Sequence, residues 1–179
     1  MGIDAMDGPT TASTRREPDR LLMIDLQSRR GPELYGLARR LGLSPEEADD
    51  AVQEALLRAW VALEAERGVE QLDAWCFRVL YRICMDQHRW HRRVQRLADR
   101  LRPRTDAGAT AHVAERLALW EAVDRLPERQ RAVVYLRYRA DLTFDQIAEV
   151  LGIRAVSARS HASRALDRLG KLLAKEDFR

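Results

Sequence analysis

The sequence predicts an all-α fold made of two small helical domains joined by a linker, with a helix-turn-helix in the second domain. Apolar residues recur at three- and four-residue spacing from Leu21 onward, and no run shows the alternation expected of a strand. Between residues 96 and 112 this periodicity is lost, and Pro103 and Gly108 interrupt the chain. With 179 residues, the chain is long enough for one ordinary domain or two small ones. We therefore expect a mobile N-terminal tail (1–20), a first helical domain (21–95), a linker (96–112) and a second helical domain (113–179).

The composition is typical of a soluble globular protein, since 46% of the residues are hydrophobic and 33% are charged. No apolar run approaches the roughly 20 residues that cross a bilayer, and the N-terminus lacks the apolar core of a signal peptide. We therefore expect a cytoplasmic protein without membrane insertion. Cys76 and Cys84 lie eight residues apart on one predicted helix, about 12 Å along its axis, which is too far for a disulfide. They are interpreted as small buried residues.

The first domain is predicted to begin with two helices, LLMIDLQSRR and PELYGLARRLG, the second of which ends near its final glycine. The next helix has a strong start signal. Ser44 is its N-cap, Pro45 occupies the first helical position, and Glu47 completes a capping box. The apolar residues that follow recur at helical spacing, so this helix is predicted to be long and amphipathic.

Another long helix is predicted from about Leu72 to Arg93, after the capped helix ends near residues 67–68. Four of its large residues recur at helical spacing and are predicted to face inward: Trp75, Val79, Ile83 and Trp90. Trp75 is the aromatic residue that we most expect in the core.

The second domain is predicted to begin with two short helices. They run from about Val113 to Leu126 and from Glu128 to about Arg139. Pro127 separates them because proline cannot continue a helix.

The segment TFDQIAEVLGIRAVSARSHASRAL (143–166) is predicted to form a helix-turn-helix. Thr143 and Gln146 form a capping box, and Gly152 permits the sharp turn. Its inward residues are Ile147, Val150 and Leu151 in the first helix, and Ala158, Ala162, Ala165 and Leu169 in the second. The positions predicted to face outward are Ser157, Arg159, Ser160, His161, Arg164 and Arg168. Arginine suits bidentate contact with guanine in the major groove, and serine suits phosphates. The alternative is an ordinary helical hairpin with a solvated arginine face.

Two adjacent charge blocks in the first domain carry opposite signs. Residues 44–66 hold seven acidic residues against one arginine, whereas residues 78–104 hold nine arginines against two aspartates. The basic block is interpreted as a nucleic-acid surface, because arginine gains affinity from phosphates and the aromatic residues beside it can stack on unpaired bases. DNA would repel the acidic helix, so its polar side fits a protein partner. For both blocks, a solvated helix face is the alternative.

Four segments of the chain together resemble one protein family. They are DDAVQEALLRAW (49–60), DAWCFRVLYRICMDQHRWHRR (73–93), RLPERQRAVVYLRY (125–138) and TFDQIAEVLGI (143–153), in that order. The chain resembles the bacterial sigma factors of the extracytoplasmic function type, which have only the second and fourth conserved sigma regions. The resemblance covers residues 21–173, and four motifs in order are more specific than a helix-turn-helix alone.

The resemblance implies a partner for the acidic helix and a path for the linker. The acidic helix would bind the clamp helices of the largest subunit of core RNA polymerase, through Asp50, Gln53 and Glu54. The linker would thread toward the active-site and RNA-exit channels of the polymerase. An anti-sigma factor is a further partner that the resemblance allows.

The resemblance also implies two contacts with promoter DNA. The segment from about Leu63 to Arg93 would melt the minus-ten element and hold its non-template bases, and the last helix would read the minus-thirty-five element in the major groove. The residues expected at the minus-ten element are Arg78, Arg82, Gln87, Arg89, Trp90, Arg92 and Arg93. Those expected at the upstream element are Arg154, Ser157, Arg159, Ser160, His161 and Arg164.

The sequence departs from the family pattern at three places. Arg82 stands where family members commonly have Asn. The last helix opens with Arg154-Ala155-Val156-Ser157 where the family commonly has Ser-Glu-Gly-Thr, and arginine is a poor N-cap. We therefore expect this helix to start late, at Ser157, or Arg154 to contact a phosphate. His161 replaces a common basic residue, so promoter preference should not be transferred from the family.

The sequence therefore predicts a sigma factor that binds core RNA polymerase and directs promoter-specific initiation. We expect no enzyme activity, cofactor or metal site, because the four histidines form no constellation with a nucleophile or metal ligands. The alternative is a stand-alone helix-turn-helix repressor or activator, which would bind duplex DNA unaided, commonly as a dimer. That alternative leaves the acidic helix and the aromatic-basic helix without a role.

Overall fold

The structure is a computed structural model that describes the backbone of residues 11–65, 71–98 and 114–176, and the side chains of residues 17–65, 71–91 and 119–174. These residues form α-helices and no strand, which confirms the predicted all-α fold class. The helices are α1 (Thr11–Arg40), α2 (Pro45–Glu64), α3 (Leu72–Ala98), α4 (Ala114–Asp124), α5 (Glu128–Tyr138), α6 (Phe144–Leu151) and α7 (Ala155–Glu176).

Helix α1 is one continuous helix, so the prediction of two short helices was wrong, and residues 11–20 of the predicted tail are helical. Pro32 lies inside α1 and lacks the N–H that would bond to the Ser28 carbonyl, which costs about 3 kcal/mol in a helix interior. Leu26, Leu34 and Leu37 are fully buried on either side of this proline. Burial of each such side chain contributes about 1.5–3 kcal/mol. The shared core therefore outweighs the local cost and carries the helix through Pro32.

The capping box predicted at the start of α2 is confirmed. The Glu47 N–H donates to Ser44 Oγ at 3.2 Å, and the Ser44 N–H donates to Glu47 Oε2 at 2.8 Å. The bond from the Ser44 N–H holds the pKa of the Glu47 carboxyl below its usual value. Small residues along one side of α2 are buried and let it pack closely on α1 and α3: Ala48, Ala51, Val52, Ala55, Ala59 and Ala62. The helix ends at Glu64, and the end predicted near residues 67–68 lies outside the described residues.

Helix α3 has Phe77 as its fully buried aromatic ring, whereas Trp75 is only half-buried against the core. Trp75 packs against the core, as predicted for an inward position, but the fully buried ring is Phe77, because α3 is covered on more than one side, by α1 and α2 and also by α6. Trp90 was also predicted to face inward, but it is 64% exposed. It lies more than a turn beyond Cys84, the last fully buried side chain in the described part of α3. The helix extends to Ala98, so the first three residues of the predicted linker are helical.

The two cysteines match their prediction as small buried residues. Both are free and buried. Burial raises the pKa of the Cys76 thiol and of the Cys84 thiol to about 12, so neither is a thiolate at neutral pH.

The helices of the second domain follow the predicted order, with Pro127 at the start of α5. The capping box of α6 is confirmed, since the Gln146 N–H donates to Thr143 Oγ1 at 3.3 Å and the Thr143 N–H donates to Gln146 Oε1 at 2.8 Å. Gly152 ends α6 in the left-handed conformation, with φ +64°, as the sharp turn requires. The residues predicted to face inward are buried: Ile147, Val150, Leu151, Ala158, Ala162, Ala165 and Leu169.

Thr143→Ala is expected to lower the free energy of unfolding by about 1 kcal/mol, because the Gln146 N–H at the start of α6 loses its acceptor. Urea denaturation followed by circular dichroism measures this change. Thr143→Ser keeps the hydroxyl and serves as the control, with the stability of the wild-type chain expected. Equal stability of the Thr143→Ala variant and the wild-type chain would contradict a stabilising role for the cap.

The two groups of helices, α1–α3 and α4–α7, pack against each other. Helix α5 lies against α1, and α6 lies against α3. Buried side chains from both groups form one continuous apolar cluster, which includes Leu34 and Phe77 from the first group and Tyr135 and Ile147 from the second. A smaller cluster around Val123 packs α4, α5 and α7 together. The arginine-bearing helices α3 and α7 therefore belong to one packed body.

Candidate nucleic-acid interface

Helix α7 is positioned by the turn at Gly152 and by the buried alanines beneath its first turns. The Ala158 N–H donates to the Arg154 carbonyl at 3.0 Å, so α7 begins at Ala155 and the late start predicted at Ser157 was wrong. Loss of a good N-cap costs about 1 kcal/mol. Full burial of Ala158 and the packing of α7 on α5 and α6 offset this cost and fix the first turn.

Four of the six residues predicted at the upstream element are exposed: Arg154, Arg159, Ser160 and Arg164. The Arg159 guanidinium lies 5.6 Å from the centroid of the Phe144 ring, within the range of a cation–π contact. Arg164 donates from Nη2 to Ser160 Oγ at 2.9 Å and from Nε to the Ser160 carbonyl at 3.2 Å. These contacts restrict both arginine side chains, which lowers the entropy lost when they bind a ligand.

Ser157 and His161 are half-buried, so they lie at the edge of this surface and do not project from it as predicted. Nδ1 of His161 is buried and has no hydrogen-bond partner among the described residues. Burial lowers the pKa of His161, and the nearby charges of Arg164 and Arg129 lower it further. The imidazole is therefore neutral at pH 7 and adds no positive charge to the surface.

Val156 is a surface residue that the sequence analysis did not assign to the interface. It is 71% exposed in the first turn of α7. Because α7 begins at Ala155 and not at the predicted Ser157, Val156 belongs to the helix. Its position lies about 200° around the helix from the buried Ala158, which places it on the exposed side. An exposed apolar side chain beside arginines can contact the methyl group of thymine in the major groove.

The residues predicted at the minus-ten element are only partly exposed. Arg82, Arg89 and Trp90 are exposed, Arg78 and Gln87 are half-buried, and the side chains of Arg92 and Arg93 lie outside the described residues. Because Phe77 and Tyr81 are buried, Trp90 is the one exposed aromatic side chain in the described part of α3. Arg89 forms an ion pair with Asp86 one turn earlier.

The acidic face of α2 lies away from the core. Asp50 and Gln53 are exposed and Glu54 is half-buried. Two apolar residues, Leu57 and Val61, continue the same face, and both are more than half exposed. Neither residue was predicted to belong to this face, although their spacing from Asp50 and Glu54 places them on the polar side. An acidic face with apolar residues is more typical of a protein contact than of a solvated surface.

A narrow cleft separates α3 from the turn between α6 and α7. Its volume is about 110 Å³, and it is lined by Arg82, Met85 and Arg89 on one side and by Glu149 and Gly152 on the other. Two of the arginines predicted at the minus-ten element therefore face the C-terminal end of α6, where Glu149 supplies an acidic side chain.

No group of three or more histidine, cysteine and carboxylate side chains in the described residues is arranged to hold a metal ion. None of the described helices is both long enough and apolar enough to cross a membrane.

Comparison with known families matches both halves of the chain. The family "Sigma-70 region 2" matches residues 26–94, and "Sigma-70, region 4" matches residues 116–169. The first match covers α2, half of α1 and most of α3, and the second covers α5, α6 and most of α4 and α7.

Similar curated proteins extend over nearly the whole chain. The RNA polymerase sigma factor SigV of Bacillus subtilis is 26% identical over 164 residues, which are 92% of this chain and 98% of SigV. The ECF RNA polymerase sigma factor EcfG of Rhodopseudomonas palustris is 31% identical over 153 residues, which are 82% of this chain and 84% of EcfG.

A solved structure with a similar fold is the sigma factor RpoE from Bartonella quintana, crystallised with the anti-sigma factor NepR. The TM-score is 0.69 at 24% sequence identity, with 89% of this chain and 98% of that chain covered. The likeness supports the helical fold described above.

Proposed function

The chain belongs to the extracytoplasmic function family of RNA polymerase sigma factors, and we propose a role in promoter recognition for each of its three exposed charged surfaces. Sigma factors of this family bind core RNA polymerase and direct initiation at promoters. The observation that carries the proposal is the separation of charge along the fold: α2 presents carboxylates, whereas α3 and α7 present arginines. Surfaces of opposite sign fit partners of opposite sign, a protein in the first case and DNA in the others.

Helix α7 is the part of the chain that we assign to the upstream promoter element. In a helix-turn-helix the N-terminal residues of the second helix contact base edges in the major groove. Arg159 and Arg164 are exposed there and restrained by their neighbours, and Val156 adds an apolar contact between them and the turn. Arg154 and Ser160 suit phosphate contacts, while Ser157 and His161 stand at the edge of the surface.

Helix α3 is the part that we assign to the minus-ten element. Arg82 and Arg89 supply positive charge for the phosphates, and Trp90 supplies a flat exposed ring. Stacking of one unpaired base on such a ring contributes about 1–3 kcal/mol. Arg78 and Gln87 belong to the same proposal at the half-buried edge of this surface, together with Arg92 and Arg93.

The acidic face of α2 is the surface that we assign to the clamp helices of the largest polymerase subunit. Asp50 and Gln53 are exposed, and Glu54 accepts a bond from Arg58 Nε at 2.7 Å. Leu57 and Val61 extend this contact with apolar area. A protein interface with an apolar centre and charged neighbours combines buried area with electrostatic steering.

Three further expectations belong to this proposal. The chain acts in the cytoplasm, where core polymerase and promoters are. It supplies no catalytic group or cofactor, since phosphodiester bond formation belongs to the polymerase. It is held inactive by an anti-sigma factor, a proposal supported by the complex in which the structurally similar RpoE was solved with NepR.

Two binding measurements separate this proposal from the alternative of a stand-alone helix-turn-helix regulator. The sigma proposal predicts that the purified chain co-migrates with core RNA polymerase in gel filtration and that core polymerase is required for a footprint on promoter DNA. If core polymerase does not bind the chain and the chain alone footprints duplex operators, the sigma proposal is wrong.

A further inference from the structure

The aromatic ring of Phe144 lies at the start of α6, between arginines from the two neighbouring helices. Phe144 is the first residue of α6, directly after the capping residue Thr143. Its side chain is half-buried and packs against the main apolar cluster. The core therefore holds one part of the ring, and the rest is accessible to polar side chains.

Arg137 approaches this ring from α5 and is anchored beside it. Its guanidinium carbon lies 5.5 Å from the centroid of the Phe144 ring. Its Nη1 donates to the Leu142 carbonyl at 3.0 Å and lies 3.9 Å from Asp141 Oδ1. Because Leu142 is two residues before Phe144, these contacts hold the backbone that leads into the ring against α5.

Arg159 approaches the same ring from α7. Its guanidinium carbon lies 5.6 Å from the centroid, within the roughly 6 Å of a cation–π contact. In the part of the chain that the structure describes, Arg159 forms no hydrogen bond or ion pair, so the ring is the contact that restrains it. Arg164, in contrast, is restrained by two hydrogen bonds to Ser160.

The two arginines at one ring favour an outward direction for Arg159. Each guanidinium is attracted to the ring, but the two positive charges repel each other. Arg137 is fixed by its hydrogen bond to the backbone, whereas Arg159 is exposed and held by the ring alone. The repulsion therefore disfavours conformations in which Arg159 folds back toward α5.

We infer that Phe144 is a positioning residue for base recognition, because its ring holds the Arg159 side chain in the direction that reaches the upstream element. This inference deepens the role proposed for α7 and rests on it. Phe144 acts through Arg159 and does not itself contact a base. Loss of an exposed cation–π contact corresponds to about two- to fivefold in an equilibrium constant, which sets the size of the expected effect.

Phe144→Leu tests this inference, because it removes the ring and keeps an apolar side chain against the core. The measurement is initiation by the reconstituted holoenzyme on promoters with single base-pair changes in the upstream element. The variant should lose about two- to fivefold of the discrimination at the base pair that Arg159 reads, which is the position made indifferent by Arg159→Ala. A smaller folded fraction would lower initiation at every promoter and leave the ratio between promoters unchanged.

Two controls distinguish positioning of Arg159 from a general effect on the fold. Discrimination at the base pair that Arg164 reads should be unchanged in Phe144→Leu, because Arg164 is held by Ser160. Phe144→Tyr keeps an aromatic ring and should retain wild-type discrimination at both positions.

The double variant of Phe144→Leu and Arg159→Ala shows whether the ring acts through Arg159. If it does, Phe144→Leu has no further effect on discrimination once the Arg159 side chain is removed. The inference would be overturned by no loss in Phe144→Leu, by equal losses at the Arg159 and Arg164 positions, by an equal loss in Phe144→Tyr, or by the same loss with and without Arg159. In each of these cases an effect of Arg159→Ala alone would still support base reading by α7. If Arg159→Ala leaves every preference unchanged, the proposed role of α7 fails and the positioning role fails with it.

Discussion

Asp50→Arg is expected to weaken binding of the chain to core RNA polymerase about a hundredfold. Asp50 is exposed on α2, at the start of the face that continues through Glu54 and Leu57. Charge reversal there sets like charges against each other across the interface, at a cost of several kcal/mol, and about 2.7 kcal/mol corresponds to a hundredfold. Titration of fluorescently labelled chain with core polymerase measures the change.

Glu121→Arg provides the control for this experiment. Glu121 is exposed on α4, away from the acidic face of α2, and its substitution changes the net charge of the chain by the same amount. It should leave the affinity for polymerase within about twofold of wild type, because a distant exposed charge contributes little. Wild-type affinity in Asp50→Arg, or an equal loss in both variants, would remove α2 from the polymerase interface.

Arg159→Ala is expected to relax recognition of the upstream element by about 5- to 150-fold, the range that corresponds to the 1–3 kcal/mol of one bidentate contact with a base. Arg159 is exposed in the second turn of α7 and lies beside the Phe144 ring. The measurement is initiation by the reconstituted holoenzyme on a set of promoters with single base-pair changes in the upstream element. The wild-type protein should discriminate among them, whereas the variant should be indifferent at one position. Arg164→Ala should act in the same way at a different position.

Arg168→Ala is the matched control on the same helix. Arg168 is exposed but lies nine residues beyond Arg159, about 14 Å further along the axis. A contact there reaches phosphates at most, so the variant should weaken all promoters to a similar degree and leave the order of preference unchanged. If Arg159→Ala and Arg168→Ala give the same uniform loss, α7 does not read bases through Arg159.

Most helix boundaries could be predicted from short stretches of sequence, because a few neighbouring residues determine where a helix begins or ends. Each capping box involves residues three apart, and Gly152 satisfies a single backbone requirement of its own turn. The buried side of α7 was also predictable, since Ala158, Ala162 and Ala165 recur at helical spacing. The capping boxes, the glycine turn and the buried side of α7 each depend on residues close together in the chain, so they can be predicted from one sequence.

Errors arose where long-range packing decides the outcome. Pro32 and the absence of a good cap before Ala155 both argue for breaks that the structure does not have, because burial elsewhere on each helix outweighs them. Phe77 is more deeply buried than Trp75, the ring that we most expected in the core, because α3 is covered on more than one side. In these cases the deciding partner lies on a different helix, and the spacing within one helix does not reveal it.

The candidate site could be predicted only in part, because the sequence shows residue type and spacing within one helix but not the contacts between helices. The three charged surfaces could be found from residue type and helical spacing. The same spacing places Leu57 and Val156 beside these surfaces, but their apolar residue type did not mark them as surface residues. The close approach of the Tyr135 ring to Gly36 could not be anticipated, since these residues are 99 positions apart in the chain.

Run-off transcription is the most direct test of the central claim that this chain gives core RNA polymerase its promoter specificity. Purified core polymerase is incubated with candidate promoter templates, with and without the chain. We expect defined run-off transcripts only when the chain is present, and their loss with Asp50→Arg at the same protein concentration. Transcripts that are unchanged by addition of the chain on every template, together with a footprint of the chain alone on duplex DNA, would contradict this claim.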